Sequence, residues 1–336
     1  MFLVSLSVLY SEFWSSQLPD PEHIRRLADG VTVKRGQESK TVHAASGSGC
    51  WGKLTSAGLL QMVDLGRTFS EIVSSRGYDP SDVRWVSTDF QRTLESLLGV
   101  LAGFYGDGDG DGQPQVEVDA TRTSRLIPDP QPRLTEAQAE LEGELVRTPD
   151  FKSWDSHREA DRIRLSDSLS HLLSPSASSV SFGVGEEGSS TVGLQWAKLS
   201  EVLKCLETRG LLPPTVGPED VSLASAHAAA RWFKILESPR MKSLLRESAL
   251  PLLEGWSGGS RGGQVTIVSA HDSTIIMYLA ILGCRRPKVW PGYGAYMEIE
   301  VGEDGGYEVK LNGEVVGEGG GGFGGEGDDN GLKGEL

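Results

Sequence analysis

Two short stretches of this 336-residue chain carry side chains suited to phosphate chemistry. The first is SAHDST, Ser269–Thr274. A histidine donates a hydrogen bond to a phosphoryl oxygen, and a neighbouring aspartic acid delivers a proton to a leaving alcohol, so His271 and Asp272 form a candidate acid–base pair. The second is STDFQRTLES, Ser87–Ser96, in which Arg92 presents a planar fork of donors matched to phosphate oxygens. Each has a plainer counterpart. Asp272 alone is a common helix cap, with His271 incidental, and Arg92 at i,i+3 from Glu95 is a common solvated pair.

The elements around both stretches have the same design. Val265–Val268 is a β-branched run that predicts a buried strand. Ser269 and Ala270 allow a tight turn, Asp272 or Ser273 can cap an apolar helix over Thr274–Leu282, and Gly283 can end it. Val83–Ser87 predicts a second strand that also meets a helix start. Thr88 and Gln91 have capping-box spacing there, and Asp89 adds favourable charge to the first turn. Arg92 then falls about one turn inside the helix. Both chemical groups thus sit where a strand hands over to a helix N-terminus, where free N–H groups and the positive dipole end favour an anion.

STDFQRTLES resembles the STD-x-x-RT-x-x-S segment of the histidine acid phosphatases, the acid phosphatase/phytase branch of the histidine phosphatase superfamily. SAHDST resembles their S-A-H-D-[ST]-T segment. Trp51–Gly66, WGKLTSAGLLQMVDLG, resembles the G-x-LT segment that opens an early helix, and Trp290–Val301, WPGYGAYMEIEV, the strand region after the His-Asp pair. All four stand in family order and span roughly Trp51–Val316. The resemblance implies hydrolysis of phosphate monoesters by two displacements, with no cofactor or metal. Arg92 would bind phosphate, His271 would hydrogen-bond the phosphoryl group, and Asp272 would protonate the leaving group at mildly acidic pH. The family's nucleophile is the histidine of an R-H-G-x-R-x-P strand upstream of G-x-LT. None of the six histidines here (His23, His43, His157, His171, His227 and His271) lies in an Arg-His-Gly. Lys34-Arg35-Gly36 looks like a remnant without the histidine. Either the strand that carries the nucleophile is missing from this sequence, or the protein has lost it and binds phosphorylated ligands without turnover.

The net charge is −15, with 47 acidic against 32 basic residues, and no basic run interleaved with aromatics marks a nucleic-acid partner. An acidic protein repels a phosphate ester at long range, so the site needs local positive charge, which Arg92 and the helix N-termini supply. The expected partner is a small-molecule phosphate ester. Three separated cysteines, Cys50, Cys205 and Cys284, fit one bridge plus a thiol or a fully reduced chain. Met1–Tyr10 lacks the basic start of a signal peptide and reads as a first strand or an artefact of the gene start. Secretory or lysosomal location is implied only by the resemblance. No apolar run reaches the ~18 residues of a spanning helix.

Two motifs are decoys. Gly47–Lys53, GSGCWGK, fits the phosphate loop of nucleotide hydrolases, but Leu54 stands where Ser or Thr would hold magnesium. Within GDGDGDG at 106–112, Asp107, Asp109, Asp111 and Gly112 match the first half of a calcium loop, yet the twelfth position counted from Asp107 is Val118 rather than Glu. Between Thr135 and Trp256 the patterning predicts helices, interrupted by a Ser/Gly loop over 174–190. These helices cover 135–147, 151–173, 193–208, 219–237 and 240–256, the last kinked or ended by Pro251. Ala295–Val301 and Tyr307–Leu311 alternate as a hairpin around Asp304-Gly305-Gly306.

The fold class expected is α/β, a doubly wound Rossmann-like sheet with helices on both faces and a smaller helical cap inserted in the middle. The expected partition is a poorly defined segment over 1–45, an α/β core over 46–119 plus 257–316, a helical cap over 120–256, and a disordered Gly/acid-rich tail over 317–336.

Overall fold

The computed structural model of the chain describes residues 15–35, 53–106, 116–120, 136–169, 194–257, 265–287 and 290–320. Two compact units divide them: one within Met1–Ile127, Ala249–Thr274 and Gly292–Tyr296, the other within Pro128–Ser248, Ile275–Pro291 and Met297–Leu336.

The first unit is built on a four-stranded parallel sheet. Its strands are β1 (Val31–Arg35), β2 (Arg84–Ser87), β3 (Val116–Ala120) and β4 (Thr266–Ser269), in the order β1-β3-β2-β4. The two strands that precede the chemical residues are therefore neighbours. Their register pairs Ser87 with Ser269, so both run out at the same level of the sheet. β1 is an element that the mixed composition of Gln17–Ala45 concealed; it pairs along its whole length with β3. A short helix, Pro21–Leu27, capped by Asp20, precedes it.

Two long helices, Ser56–Ser75 and Gln91–Tyr105, bury their apolar faces against this sheet. Met62, Val73, Leu97, Val100, Leu101 and Phe104 form one core with Val83, Trp85, Val116 and Val118 of the sheet. The helices touch backbone to backbone because glycine stands at their crossing. A Cβ on Gly66 would lie 2.1 Å from the Val100 carbonyl oxygen, and one on Gly103 would lie 1.9 Å from that of Val63. Real Cβ contacts do not come that close, so any side chain there would push the helices apart.

The second unit holds the helices Glu136–Arg147, Pro149–Ser156, Glu159–Leu169, Trp196–Glu207 and Pro218–Leu236. The single helix expected over 151–173 is two within the described residues, the first closing at His157. Pro251 stays inside the helix Pro239–Ser257 rather than ending it. His227, which the sequence leaves without a role, is a core residue. Its ring stacks on Trp154 (4.7 Å, 9°), lies 4.4 Å from the Trp196 ring, and its Nε2 is 3.1 Å from Asp155 Oδ1. Arg164 Nη2 donates to Asp220 Oδ1 at 2.5 Å, and Asp220 also accepts the Gly217 N–H at the start of the Pro218 helix.

The same unit contains an antiparallel sheet, β5 (Met297–Val301), β6 (Tyr307–Leu311) and β7 (Glu314–Gly319). The hairpin is where the alternation places it, but β7 corrects the reading of everything from Gly317 onward as disordered. Gly317–Gly319 are paired strand residues. Glycine is required there rather than permissive: a Cβ on Gly319 would lie 2.2 Å from the Tyr307 ring, and one on Gly317 would lie 2.6 Å from Cys284 Sγ. The remainder of the tail lies outside the described residues. Among the described residues this sheet shares no strand pairing with the parallel one, and residues 297–320 group with the second unit, whereas the sequence expectation assigns 257–316 to the α/β core.

No described helix is long and apolar enough to cross a membrane. Cys205 and Cys284 are free thiols, and burial pushes the Cys284 thiol up to about 11, which makes it a packing group. Cys50, His43, His171, the acidic run after Gly106 and most of the Gly47–Lys53 decoy lie outside the described residues.

Candidate functional site

The site is assembled from the turns and helix starts that succeed β2 and β4. Thr88 N–H donates to the Ser269 carbonyl at 3.0 Å, and Ser269 Oγ donates to the Thr93 carbonyl at 2.9 Å, which ties the two turns together. The helix after β4 is Asp272–Ile281. Asp272 is thus its first residue rather than the residue before it. Its Oδ1 accepts the Ser273 N–H at 2.9 Å, while His271 N–H donates to Thr274 Oγ1 at 3.2 Å and the His271 carbonyl accepts the Thr274 N–H at 3.0 Å. This reciprocal pair fixes the turn on which His271 stands, and Gly283, at φ 71°, ends that segment as its position predicts.

The helix after β2 starts later than the capping-box spacing predicts. It is Gln91–Tyr105, its cap position is Phe90, and no side chain caps it. Thr88 does not cap because its hydroxyl is engaged elsewhere: Thr88 Oγ1 lies 2.8 Å from Thr93 Oγ1 and 3.1 Å from His271 Nε2. Arg92 is consequently the second residue of the helix, at its very end, rather than a turn inside. The alternative pairing of Arg92 with Glu95 is not the contact formed. Glu95 is buried and accepts from Leu54 N–H at 3.0 Å and from Gln91 Nε2 at 2.8 Å, joining the starts of the two long helices. Thr55 caps the Ser56 helix through Gly58 N–H, as the G-x-LT resemblance implies.

Arg92 and His271 meet. Arg92 Nη2 is 3.2 Å from His271 Nδ1. The Phe90 ring stands edge-on to the His271 ring at 4.9 Å, and the Arg92 guanidinium lies 4.9 Å from the centre of the same Phe90 ring. Arg92 and Asp272 are exposed, His271 is half-buried, and Thr88, Asp89 and Thr93 are buried. One further charge pair borders the cluster: Arg35, the last residue of β1, donates from Nε to Asp89 Oδ1 at 2.8 Å. An exposed guanidinium and an exposed carboxyl therefore flank a half-buried histidine at the carboxyl ends of neighbouring parallel strands. Groups of these kinds can bind an oxyanion and donate a proton to it.

The sequence picks out Arg92, His271 and Asp272. It misses the hydroxyls of Thr88 and Thr93 as members of the cluster, and the pair Arg35–Asp89. Thr88 and Thr93 flank Arg92 on the same turn, and that spacing was the available signal. Among the described residues, no group of three or more His, Cys, Asp or Glu side chains is placed to hold a metal ion.

Residues 21–163 match the model of the histidine phosphatase superfamily (branch 2). That stretch includes Arg92, and the match supports a phosphatase-type hydrolase. No curated protein matches the chain. Among solved structures, the chain is similar to the phytase from Citrobacter braakii, at 14% identity and a TM-score of 0.52, over 84% of this chain and 83% of that one. It is likewise similar to Hafnia alvei phytase in complex with myo-inositol hexakis sulphate, at 16% identity, a TM-score of 0.54 and 84% and 82% coverage. A Klebsiella sp. ASR1 phytase gives 14% identity, a TM-score of 0.51 and 84% and 81% coverage. At these identities the likeness is one of fold: α/β with a parallel sheet and many helices.

Proposed function

We propose that the chain acts on small phosphate monoesters as an acid phosphatase-like hydrolase, with the reacting phosphoryl group held at the meeting point of Arg92 and His271. The observation that carries this reading is the 3.2 Å approach of Arg92 Nη2 to His271 Nδ1 at the carboxyl ends of β2 and β4. Arg92 forks onto two phosphoryl oxygens. His271 donates to a third as negative charge builds in the transition state. Asp272, exposed and first in its helix, gives its proton to the leaving oxygen as the phosphorus–oxygen bond breaks, which requires the carboxylic acid form and favours mildly acidic pH. The phosphoryl group then passes to a nucleophile, from which water releases it. No residue of this sequence is assigned as that nucleophile.

A second reading is favoured by one observation: the sequence contains no Arg-His-Gly. In it, the same cluster binds phosphorylated ligands without turnover. Hydrolysis of p-nitrophenyl phosphate from pH 4 to 8, by this chain and by His271→Ala and Asp272→Ala, separates the two. Turnover lost in both variants supports the hydrolase. Phosphate bound with no turnover supports the binding relative, or an enzyme whose nucleophile strand is not in this sequence. A chain that neither binds nor hydrolyses refutes both.

A further inference from the structure

The level at which Arg92 stands depends on how the Gln91 helix is set along the Ser56 helix. Glycine lines their contact. A Cβ on Gly99 would lie 2.8 Å from Met62 Cβ, and one on Gly103 would lie 1.9 Å from the Val63 carbonyl oxygen. Glycine lets the two backbones approach, but apolar contact has no direction, so by itself it leaves one helix free to slide along the other. Glu95, Gly99 and Gly103 recur every four residues, which puts all three on one face of the Gln91 helix. Glu95 is where that face reaches the start of the Ser56 helix. Its Oε2 accepts from Leu54 N–H at 3.0 Å, one residue before the Thr55 cap. Its Oε1 accepts from Gln91 Nε2 at 2.8 Å, on the first residue of its own helix. Glu95 is buried, and among the described residues no cation pairs with it.

A buried carboxylate carries a desolvation cost that an apolar side chain at this position would not. What it supplies is direction, because a hydrogen bond holds only over a narrow range of distance and angle. We propose that Glu95 is a positioning residue of the oxyanion site: by tying Leu54 N–H to the first turn of the Gln91 helix, it sets the register of that helix and holds Arg92 level with His271. Gln91 and Glu95 bracket Arg92 in that turn. The bond from Ser269 Oγ to the Thr93 carbonyl ties the same turn to the residues after β4, and Glu95 ties it to the start of the Ser56 helix. A turn held at one of these points alone can pivot about it. Glu95 does not touch the anion, so its whole effect on binding passes through Arg92. The proposal rests on the reading of Arg92 and His271 as the phosphate-binding pair.

The test is titration with inorganic phosphate at fixed pH and ionic strength. The chains compared are the wild type, Glu95→Ala and Glu95→Gln, and Arg92→Ala with and without Glu95→Ala. Glu95→Ala is expected to bind phosphate about tenfold more weakly, as a misplaced binding group does. Glu95→Gln is expected to stay within about twofold of the wild type, since the amide oxygen accepts from Leu54 N–H while its NH2 donates to Gln91 Oε1 once that amide flips. In the Arg92→Ala background, Glu95→Ala is expected to have no further effect, which a general loss of stability would not produce. Should Glu95→Ala fail to fold, Gln91→Ala removes one of the two bonds at an exposed position, and its expected loss of about threefold likewise vanishes without Arg92. Unchanged affinity in a folded Glu95→Ala, an equal loss in Glu95→Gln, or a loss that persists without Arg92 overturns this inference and leaves the oxyanion site standing. Failure of the wild type to bind phosphate overturns the oxyanion site itself, and this inference with it.

Discussion

Arg92 Nη2 and His271 Nδ1 stand 3.2 Å apart although 179 residues separate them in the chain. β2 and β4 are adjacent and parallel, so the turns after them share one edge of the sheet. This pairing makes a definite statement about Arg92→Lys. Lysine keeps the charge but loses the planar fork and cannot reach two phosphoryl oxygens together. Phosphate affinity is expected to fall about tenfold in Arg92→Lys and about a hundredfold in Arg92→Ala, corresponding to ~1.5–3 kcal/mol for a charge-assisted hydrogen bond and its pair. Titration with inorganic phosphate at fixed ionic strength measures both. Equal affinities in the wild type and Arg92→Ala would remove Arg92 from the site.

Asp272 is distinguished from a mere cap by its response to the leaving group. Its Oδ1 accepts the N–H of the next residue, Ser273, and the residue is exposed at the start of its helix. If it delivers a proton, Asp272→Asn slows hydrolysis of an alkyl phosphate by roughly 10²–10⁴ and of a nitrophenyl phosphate far less, because nitrophenolate leaves without protonation. A cap alone would lower both rates equally, through stability. The ratio of the two kcat/KM values is the quantity to compare.

The legible parts of this protein were those whose signal is local. Val83–Ser87 and Val265–Val268 declare themselves as strands by β-branching, and the turn after each carries the chemical residues. What could not be read depended on partners far away in the chain. Thr88 and Gln91 have the spacing of a cap, but the Thr88 hydroxyl is claimed by Thr93 and by His271, so the helix starts at Gln91 without it. Glu95 sits at i,i+3 from Arg92, but Leu54 N–H and Gln91 claim it first. Composition misled at the other end of the chain. Gly317 and Gly319 look like tail residues until Cys284 and Tyr307 are found where their side chains would be.

The glycine crossing of the two long helices gives a stability prediction. Gly66 and Gly103 each place a backbone carbonyl of the opposite helix where a methyl group would go. Gly103→Ala gains helix propensity of about 1 kcal/mol but forces the helices apart, and overpacking of this kind costs ~1–3 kcal/mol or more. The net effect expected is destabilisation, seen as a lower urea midpoint, with the Gly66→Ala, Gly103→Ala double variant less than additive because both relieve the same crossing. The Gln91 helix carries Arg92, so phosphate affinity is expected to fall together with stability. A stabilised Gly103→Ala would show that the helices do not cross backbone to backbone.

Arg164 and Asp220 form one acid-sensitive contribution to the stability of the helical unit. The hydrogen bond from Arg164 holds the Asp220 carboxyl below the usual carboxylate range, with the Gly217 N–H acting in the same direction. A carboxyl whose folded value lies below its unfolded one contributes stability above the unfolded value, about pH 4, and that contribution disappears as pH falls through the folded value. The contribution is within roughly 1 kcal/mol, because the Arg164 side chain is 47% exposed and solvent screens the pair. Asp220→Asn keeps an acceptor for Gly217 but loses the charge. The wild type is therefore expected to be the more stable of the two at pH 6, and the gap between them to be narrower at pH 2.5. Urea midpoints tracked by helical circular dichroism at the two pH values decide it. A gap that persists unchanged at pH 2.5 would mean that Asp220 acts through its cap alone and that its pairing with Arg164 contributes nothing to stability.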